Sequence, residues 1–315
     1  MNPDLRTRLG ALELANPVMA AAGCAGTGRE LARFYDIARL GAVATKSVML
    51  QPRAGRPAPR MAETPSGMLS AIGLQGPGIE VFLQRDLPWL QARGGTTVVS
   101  VAGGAADEYA EVARRLPASA GVAVIEVNLS CADPAGQGRH FTDDAGAAAR
   151  VVRAVRAAAD PQVPVLAKLA ADVPDPVGLA GACAEAGADG LSMVNCLRGM
   201  SVDPLTLRPA VAGGMGGLSG PAIRPVAVGC VYQVSAALPD VPIVGMGGVR
   251  TGADALEFLA AGASAVAVGT VNFADPSACV RILRELEELL EERGVDRVTD
   301  VIGAAHRSTG TALGR

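Results

Sequence analysis

Eight short apolar runs recur along this chain of 315 residues, and segments with helical periodicity lie between them. Apolar runs of this length, bounded by turn residues, are typical of strands buried on both faces. In chain order the runs are NPVMAAAG (16–23), AVATKSV (42–48), TTVVSVAG (96–103), VAVIEVNLSC (122–131), VPVLAKLA (163–170), ADGLSMVNC (188–196), VPIVGMGGV (241–249) and ASAVAVGT (263–270). Eight strand–helix alternations predict a (β/α)8 barrel, the TIM barrel, in a single domain over residues 1–315. A doubly wound parallel sheet is the structural alternative.

Helices are predicted between the later strands, and two connections are too long for plain loops. The clearest helical patterns cover residues 107–116, 144–159, 175–187, 222–238 and 251–262, with an amphipathic final helix over 277–294. The stretch TRLGALELANP near the start predicts a hairpin that closes the bottom of the barrel. Insertions at about 49–80 and 197–221 follow the second and sixth strands. Long loops at those strand ends usually build a substrate site or a lid.

Composition and charge exclude several classes of protein. The net charge of −3 argues against a nucleic-acid surface, and no apolar run reaches membrane-spanning length. The charged N-terminus does not resemble a signal peptide. The six cysteines are scattered without a C-x-x-C pair, which argues against a disulfide framework or a metal site in this chain. We therefore expect a cytoplasmic protein with reduced thiols and no metal.

Only two lysines are present, Lys46 and Lys168, although Lys and Arg together number 28. Both lie near the end of a predicted strand, and the carboxyl ends of barrel strands carry the chemistry in this fold. A compact ammonium at such a place is suited to a bound anion or an electron-rich cofactor, where a forked guanidinium would not fit. Chance survival of two lysines in an arginine-rich composition is the alternative.

Three glycine-rich segments predict a phosphate site. GMGGV (245–249) and VGT (268–270) end the seventh and eighth strands, where barrels commonly bind phosphate through backbone N–H groups. A third segment, GGMGGLSG (213–220), leads into a predicted helix, and a flexible surface loop is its alternative interpretation.

Cys131 ends the fourth strand in NLSC and begins a loop of mobile composition. A thiol there can act as a nucleophile or a general base, and neither His140 nor His306 makes an obvious pair with it. A base is therefore the favoured role. Cys183, Cys230 and Cys279 lie on helical patterns and are interpreted as buried small hydrophobes.

At these residues the chain resembles the class 1 dihydroorotate dehydrogenases, most closely the catalytic subunit of the class 1B group, from about residue 5 to 307. The motifs that carry the resemblance are NPVMAAAG, TKSVMLQPRAGRPAPRMAETPSGMLSAIGLQGPG, NLSC, GGLSGPAIRPVAVGCVYQV, PIVGMGGVRTGADALEFLAAGA and AVGTVNF. The resemblance implies an FMN enzyme that oxidises dihydroorotate to orotate in pyrimidine biosynthesis. It also implies a homodimer and a partner subunit carrying FAD and an iron–sulfur cluster.

The resemblance assigns roles residue by residue. Cys131 matches the base that removes the C5 proton while hydride leaves C6, and Lys46 matches a lysine near flavin and substrate. Lys168 matches the lysine beside the flavin N1–O2 edge. The implied flavin-binding residues are Ala21, Ala22, Gly23, Lys46, Asn128, Lys168, Ser219, Gly220, Gly247, Gly248, Gly269 and Thr270. The implied substrate-binding residues are Lys46, Ser70, Ile72, Gly73, Leu74, Asn128, Asn195 and Cys196.

The chain departs from the family pattern at three positions of the substrate site. Ser70 and Asp133 stand where the family usually has Asn, and Cys196 stands where it has Thr or Ser. A missing donor for a buried polar group costs roughly 1–3 kcal/mol. One alternative is therefore activity on another dihydropyrimidine or a related cyclic amide. A non-catalytic flavoprotein subunit is a second alternative, against which Cys131, Lys46 and Lys168 argue.

Overall fold

The structure is a computed structural model that describes residues 2–130 and 140–307. Among these residues, eight parallel strands close into a barrel whose strand order follows the chain. The strands in chain order are β1 Thr7–Leu9, β2 Leu12–Leu14, β3 Val18–Ala20, β4 Ala42–Ala44, β5 Met61–Thr64, β6 Gly67–Ser70, β7 Thr97–Val101, β8 Val124–Asn128, β9 Val165–Leu169, β10 Gly190–Met193, β11 Leu197–Met200, β12 Val202–Asp203, β13 Arg208–Pro209, β14 Met215–Ser219, β15 Ile243–Met246 and β16 Ala265–Val268. The barrel consists of β3, β4, β7, β8, β9, β10, β15 and β16. All eight predicted strands are present, which confirms the TIM barrel.

The helices cover the outside of the barrel. They are α1 Ile79–Val81, α2 Leu87–Gln91, α3 Ala106–Arg114, α4 Ala145–Ala158, α5 Pro176–Glu185, α6 Arg224–Ala237, α7 Gly252–Ala260, α8 Ala278–Glu292 and α9 Ala304–Arg307. A π-helical turn, Phe82–Asp86, joins α1 to α2. No helix in the described part of the chain is long and apolar enough to cross a membrane.

The connection between β3 and β4 differs from the predicted alternation. It contains two short 3₁₀ turns, Leu31–Arg33 and Ile37–Arg39, in place of a full helix. Gly26 and Gly28 adopt positive φ angles of 55° and 85° just before them, a conformation that interrupts helical winding. Periodicity alone did not reveal this interruption.

The N-terminal hairpin of β1 and β2 closes the bottom of the barrel, as predicted. Its buried side chains Leu9 and Leu14 belong to the same core cluster as Val124 and Leu166 of the barrel interior. The Oγ1 atom of Thr7 also donates a hydrogen bond to the carbonyl oxygen of Ser264 at 2.7 Å. The opposite end of the barrel is therefore the open one.

The two insertions form one sheet, which we call the roof sheet, in the order β11-β14-β6-β5. Leu218 of β14 pairs with Leu69 of β6 and with Leu197 of β11. The glycine-rich segment 213–220 is thus largely strand β14, so its alternative interpretation as a flexible surface loop is wrong. A Cβ at Gly217 would lie 2.7 Å from the Cβ of Cys196, so glycine lets these strands approach each other.

The barrel interior is polar on one side. Because side chains alternate along a strand, β7, β8, β9 and β10 point buried polar side chains into the barrel, namely Ser100, Glu126, Lys168 and Ser192. The strands opposite contribute apolar side chains, namely Met19, Ala21, Ala44, Met246 and Ala267. The polar side leads up to the open end of the barrel.

Candidate active site

A cavity of about 200 Å³ lies at the carboxyl ends of the barrel strands, beneath the roof sheet. Most of the site residues predicted from the sequence line it: Ala21, Ala22, Gly23, Lys46, Ser70, Ile72, Leu74, Asn128, Lys168, Asn195, Cys196, Ser219, Gly220, Gly247, Gly248, Gly269 and Thr270. The fold thus brings together residues that are up to 249 positions apart, from Ala21 to Thr270.

One predicted residue within the described part of the chain, Gly73, is not on this wall. Gly73 lines a neighbouring surface pocket instead, where a Cβ on it would lie 2.9 Å from the Cγ of Arg56. Its φ of 77° turns the chain between Ile72 and Leu74, which both face the cavity. Cys131, with Asp133, lies outside the described residues.

Sequence reasoning missed several lining residues. They are Cys24, Ser47, Met61, Met68, Val194, Ile223, Met246, Ala267 and Phe273. Cys24, Ser47 and Val194 each adjoin a predicted residue, so reading one position further at those strand ends would have found them. Met61 and Met68 lie in the roof sheet, whose pairing has no local signal in the sequence.

A chain of side-chain hydrogen bonds crosses the polar side of the site. The Nδ2 of Asn195 donates to the Oδ1 of Asn128 at 3.1 Å, and the Nδ2 of Asn128 donates to the Oγ of Ser47 at 3.1 Å. Ser47 and Ser100 share a hydrogen bond of 3.0 Å. These contacts fix the amides at the wall, so that their orientation does not depend on a ligand.

The two lysines occupy different environments. Burial lowers the pKa of Lys46, and the Cys24 thiol opposes that shift. Lys168 is almost fully buried, and its Nζ lies 3.3 Å from the Oε1 of Glu126, which is buried too. The Lys168 ammonium therefore lies at the cavity wall, and the Glu126 carboxylate lies on the side of it that faces away from the cavity.

Two thiols adjoin the lysines. Burial raises the pKa of Cys24 to about 12, and burial also raises that of Cys196 while the charge of Lys168 opposes the shift. Both thiols are consequently protonated and neutral near pH 7. The backbone N–H of Cys196 donates to the Oδ1 of Asn195 at 2.9 Å, which fixes this segment of the wall.

A second cavity of about 690 Å³ opens from the first toward the surface, and the two share Gly220, Gly248 and Thr270. Gly220 and Gly248 have φ angles of 94° and 79°, which side chains rarely adopt. A Cβ on Gly248 would lie 2.7 Å from the carbonyl oxygen of Gly220. Both positions therefore favour glycine, and both line the cavity, where backbone N–H groups can approach an anion.

The histidines lie apart from this cavity. His140 lies beside Arg53 and Arg56 in a surface pocket, and burial lowers its pKa. His306 stacks on Tyr232 with ring centroids 4.1 Å apart. No group of three or more His, Cys, Asp or Glu side chains suited to a metal ion occurs in residues 2–130 and 140–307.

A family model described as dihydroorotate dehydrogenase matches residues 4–290 of the chain. The chain belongs to the dihydroorotate dehydrogenase family. It is 47% identical over 299 residues to the dihydroorotate dehydrogenase B (NAD(+)) catalytic subunit of Anoxybacillus flavithermus, with 95% of each chain covered. It is 48% identical to the corresponding subunit of Pelobacter propionicus, with 96% of this chain and 99% of the relative covered.

A solved dihydroorotate dehydrogenase structure has the same fold. The crystal structure of the Eimeria tenella enzyme in complex with ferulenol aligns with a TM-score of 0.81 at 23% identity, covering 97% of this chain and 89% of the other. At that identity the likeness supports the barrel fold alone.

Dihydroorotate dehydrogenases of this kind depend on FMN, and the site fits that cofactor. The exposed glycine backbone at Gly248 suits a phosphate, and the apolar wall of Ala21, Met246 and Ala267 suits a planar ring system. The ammonium of Lys168 suits a ring that becomes anionic on reduction. The polar amides on the opposite wall remain available for a second, smaller ligand.

Proposed function

We propose that this chain oxidises dihydroorotate to orotate in pyrimidine biosynthesis, using FMN as its redox cofactor. The observation that carries the proposal is the cavity in which the buried Lys168, the partly buried Lys46, two linked asparagines and a glycine backbone converge at the open end of the barrel. Membership of the dihydroorotate dehydrogenase family supports the same reaction.

FMN, when bound, supplies the acceptor for the hydride that leaves C6 of the substrate. The chain supplies the rest of the chemistry. We assign Cys131 as the base that takes the C5 proton, because it follows the β8 strand end three positions after Asn128, which lines the cavity. The Cys131 thiolate takes the C5 proton and becomes a thiol. The electron pair of the C5–H bond forms the new C5=C6 double bond as hydride leaves C6, so that atoms and charge balance.

The polar wall residues hold the substrate in this proposal. Asn128 and Asn195 are fixed by their mutual hydrogen bond and present amides to the ring and carboxylate of dihydroorotate. We assign Lys46, which lines the cavity, to contacts with both ligands, and its partial burial strengthens its attraction for a carboxylate. Ser70 of the roof sheet, with Ile72 and Leu74 just after it in the chain, covers the substrate and excludes water in this proposal.

A partner subunit belongs to the proposal. The relatives from Anoxybacillus and Pelobacter are named catalytic subunits of NAD(+) enzymes, which supports a separate electron-transfer subunit carrying FAD and an iron–sulfur cluster. Phe273 lines the cavity and is half exposed, so the flavin site reaches the surface where electrons can leave. We place both subunits in the cytoplasm, which the free cysteines of the described residues favour.

A homodimer is the other proposed association. The loop between β11 and β14 exposes large apolar side chains, with Leu205 92% and Leu207 80% accessible and Met200, Val202 and Met215 about half accessible. A cluster of this kind is typical of a surface that another protein covers. A second copy of the chain is the partner we propose.

Ser70 and Cys196 favour a second candidate function, oxidation of another dihydropyrimidine or a related cyclic amide. Both residues line the cavity, and neither is the residue typical of the family there. The protonated Cys196 thiol is a weaker donor than a hydroxyl, so a ligand carboxylate gains less from it.

Anaerobic mixing of the FMN-loaded protein with dihydroorotate and, separately, with dihydrouracil tests both functions. Rapid loss of flavin absorbance with dihydroorotate alone supports the first proposal. Slow bleaching by dihydroorotate and rapid bleaching by dihydrouracil supports the second. In that second case, Ser70→Asn with Cys196→Thr should accelerate the reaction with dihydroorotate. Bleaching by neither compound contradicts the first proposal and excludes dihydrouracil as the substrate of the second.

A further inference from the structure

Glu126 is a buried carboxylate inside the barrel that the proposed reaction does not use. Among the described residues three carboxylates are buried, those of Asp86, Glu126 and Asp254, and only Glu126 lies on a barrel strand. It does not line the cavity, so it touches neither ligand directly. Burying such a charge is costly, and a buried charge is retained only with a partner.

The partner of Glu126 is Lys168, on the neighbouring strand. In the register of β8 and β9, Lys168 pairs with Asn128. Glu126 comes two positions before Asn128 on β8, so it lies one layer deeper in the barrel than Asn128 does. The Nζ of Lys168 and the Oε1 of Glu126 are 3.3 Å apart. The ammonium therefore has a carboxylate on its inner side and the cavity on its outer side.

No other described group nearby supplies a negative charge to this ammonium. The thiols that interact electrostatically with Lys168 are Cys24 and Cys196, and burial keeps both protonated near pH 7. Ser192 pairs with Lys168 in the β9–β10 register, and its buried Oγ has no hydrogen-bond partner among the described residues. Ser192 is neutral in any case, which leaves Glu126 as the counter-ion.

We infer that Glu126 is a positioning residue, which keeps the Lys168 side chain charged and directed at the FMN ring by serving as its buried counter-ion. The inference rests on the proposed FMN site. Glu126 then acts on the flavin only through Lys168. Its net effect on the anionic reduced ring is favourable, whereas the field of its own negative charge would be unfavourable. A carboxylate that acted on the flavin directly would disfavour an anionic reduced ring, whereas one that maintains the ammonium favours it.

The test is the reduction potential of bound FMN, measured by dithionite titration against a reference dye, which requires no substrate. Glu126→Gln should lower the potential, with a change on the order of tenfold or more in the equilibrium constant for flavin reduction. The double variant Glu126→Gln/Lys168→Gln should have the same reduction potential as Glu126→Gln alone, because in both proteins the side chain at position 168 is neutral. Glu126→Asp should recover most of the wild-type potential. A potential that rises or stays unchanged in Glu126→Gln overturns the inference.

Asp86→Asn is the matched control, since Asp86 is buried and paired with Arg29 and Arg85 away from the barrel interior. Its potential should equal that of the wild type. If Glu126→Gln does not retain FMN, thermal unfolding provides a second test. Lys168→Gln alone should then melt at a lower temperature than the double variant, because it leaves the Glu126 carboxylate buried without a partner. Equal melting temperatures contradict the pairing. Failure of wild-type protein to oxidise dihydroorotate would affect the proposed function and leave these measurements valid.

Discussion

Asn195 and Asn128 form a side-chain hydrogen bond of 3.1 Å between the ends of two strands that are not adjacent in the barrel. The strand between them, β9, carries Lys168. The Oδ1 of Asn195 is also occupied, because it accepts from the N–H of Cys196. Each amide therefore has one fixed orientation before any ligand arrives.

Asn195→Asp should weaken substrate binding more than FMN binding. The new carboxylate oxygen would face the Oδ1 of Asn128, so a donor–acceptor contact becomes a repulsive one. We expect KM for dihydroorotate to rise about tenfold, the cost of a lost hydrogen bond at a buried site. Steady-state kinetics and the bound FMN content measure the two effects. Loss of FMN with unchanged KM would assign Asn195 to the cofactor.

Gly248→Ala should abolish tight FMN binding. The substitution places a Cβ 2.7 Å from the carbonyl oxygen of Gly220 and forces a side chain onto a φ of 79°. We expect affinity to fall at least about tenfold, measured by the quenching of FMN fluorescence on titration into apoprotein. Gly229→Ala, on α6 with open space around the added Cβ, is the control and should bind as the wild type does. Equal affinity in the two variants would contradict the phosphate site.

Cys131→Ala should leave FMN bound and slow its reduction by dihydroorotate by roughly 10²–10⁴, the usual range for a lost general base. Cys131→Ser should retain some activity at high pH, since a hydroxyl is a weaker base than a thiolate. Stopped-flow absorbance of the flavin measures the rate. Cys183→Ala, which removes a buried thiol from α5, is the control. Reduction of Cys131→Ala at the wild-type rate would disprove the assignment.

Alkylation by iodoacetamide should distinguish Cys131 from the other five cysteines. Burial raises the pKa of each of those thiols, to about 12 for Cys24 and Cys183, so they remain protonated and inert near pH 7. A thiol forms little thiolate at a pH below its pKa, and only the thiolate is alkylated. Labelling of these five cysteines should therefore increase only as the pH rises well above 9. Mass spectrometry should therefore find a single modification at pH 7.5 and none in Cys131→Ser. Labelling elsewhere at pH 7.5 would contradict the raised pKa of those thiols.

If the proposed homodimer forms through the loop between β11 and β14, Leu205→Ser combined with Leu207→Ser should yield a monomer at micromolar concentration, because both side chains are exposed in that loop. Light scattering measures the mass. Val226→Ser is the control, since Val226 is an exposed apolar residue on α6, away from that loop. A double variant that remains dimeric would place the interface elsewhere.

The barrel and much of the cavity wall could be predicted because both depend on local patterns. The end of each strand can be predicted from its own apolar run. The barrel fold then brings Lys46, Asn128 and Gly248 together at the open end. The roof sheet could not be predicted, since its pairing of Leu218 with Leu69 joins segments 149 positions apart and leaves no local signal. Glu126 is visible in the sequence as the single acidic residue within the apolar run VAVIEVN, but the sequence does not indicate its partner.

The pairing of β14 with β6 also constrains when the site can form during synthesis. The first insertion leaves the ribosome about 150 residues before the strand that completes its sheet. A nascent chain that ends before residue 215 lacks β14, the strand that joins β11 to β6, and also lacks the glycines that follow β15 and β16. We therefore expect cofactor loading to require the last strands of the barrel, and truncated products should be colourless even where their early strands have folded.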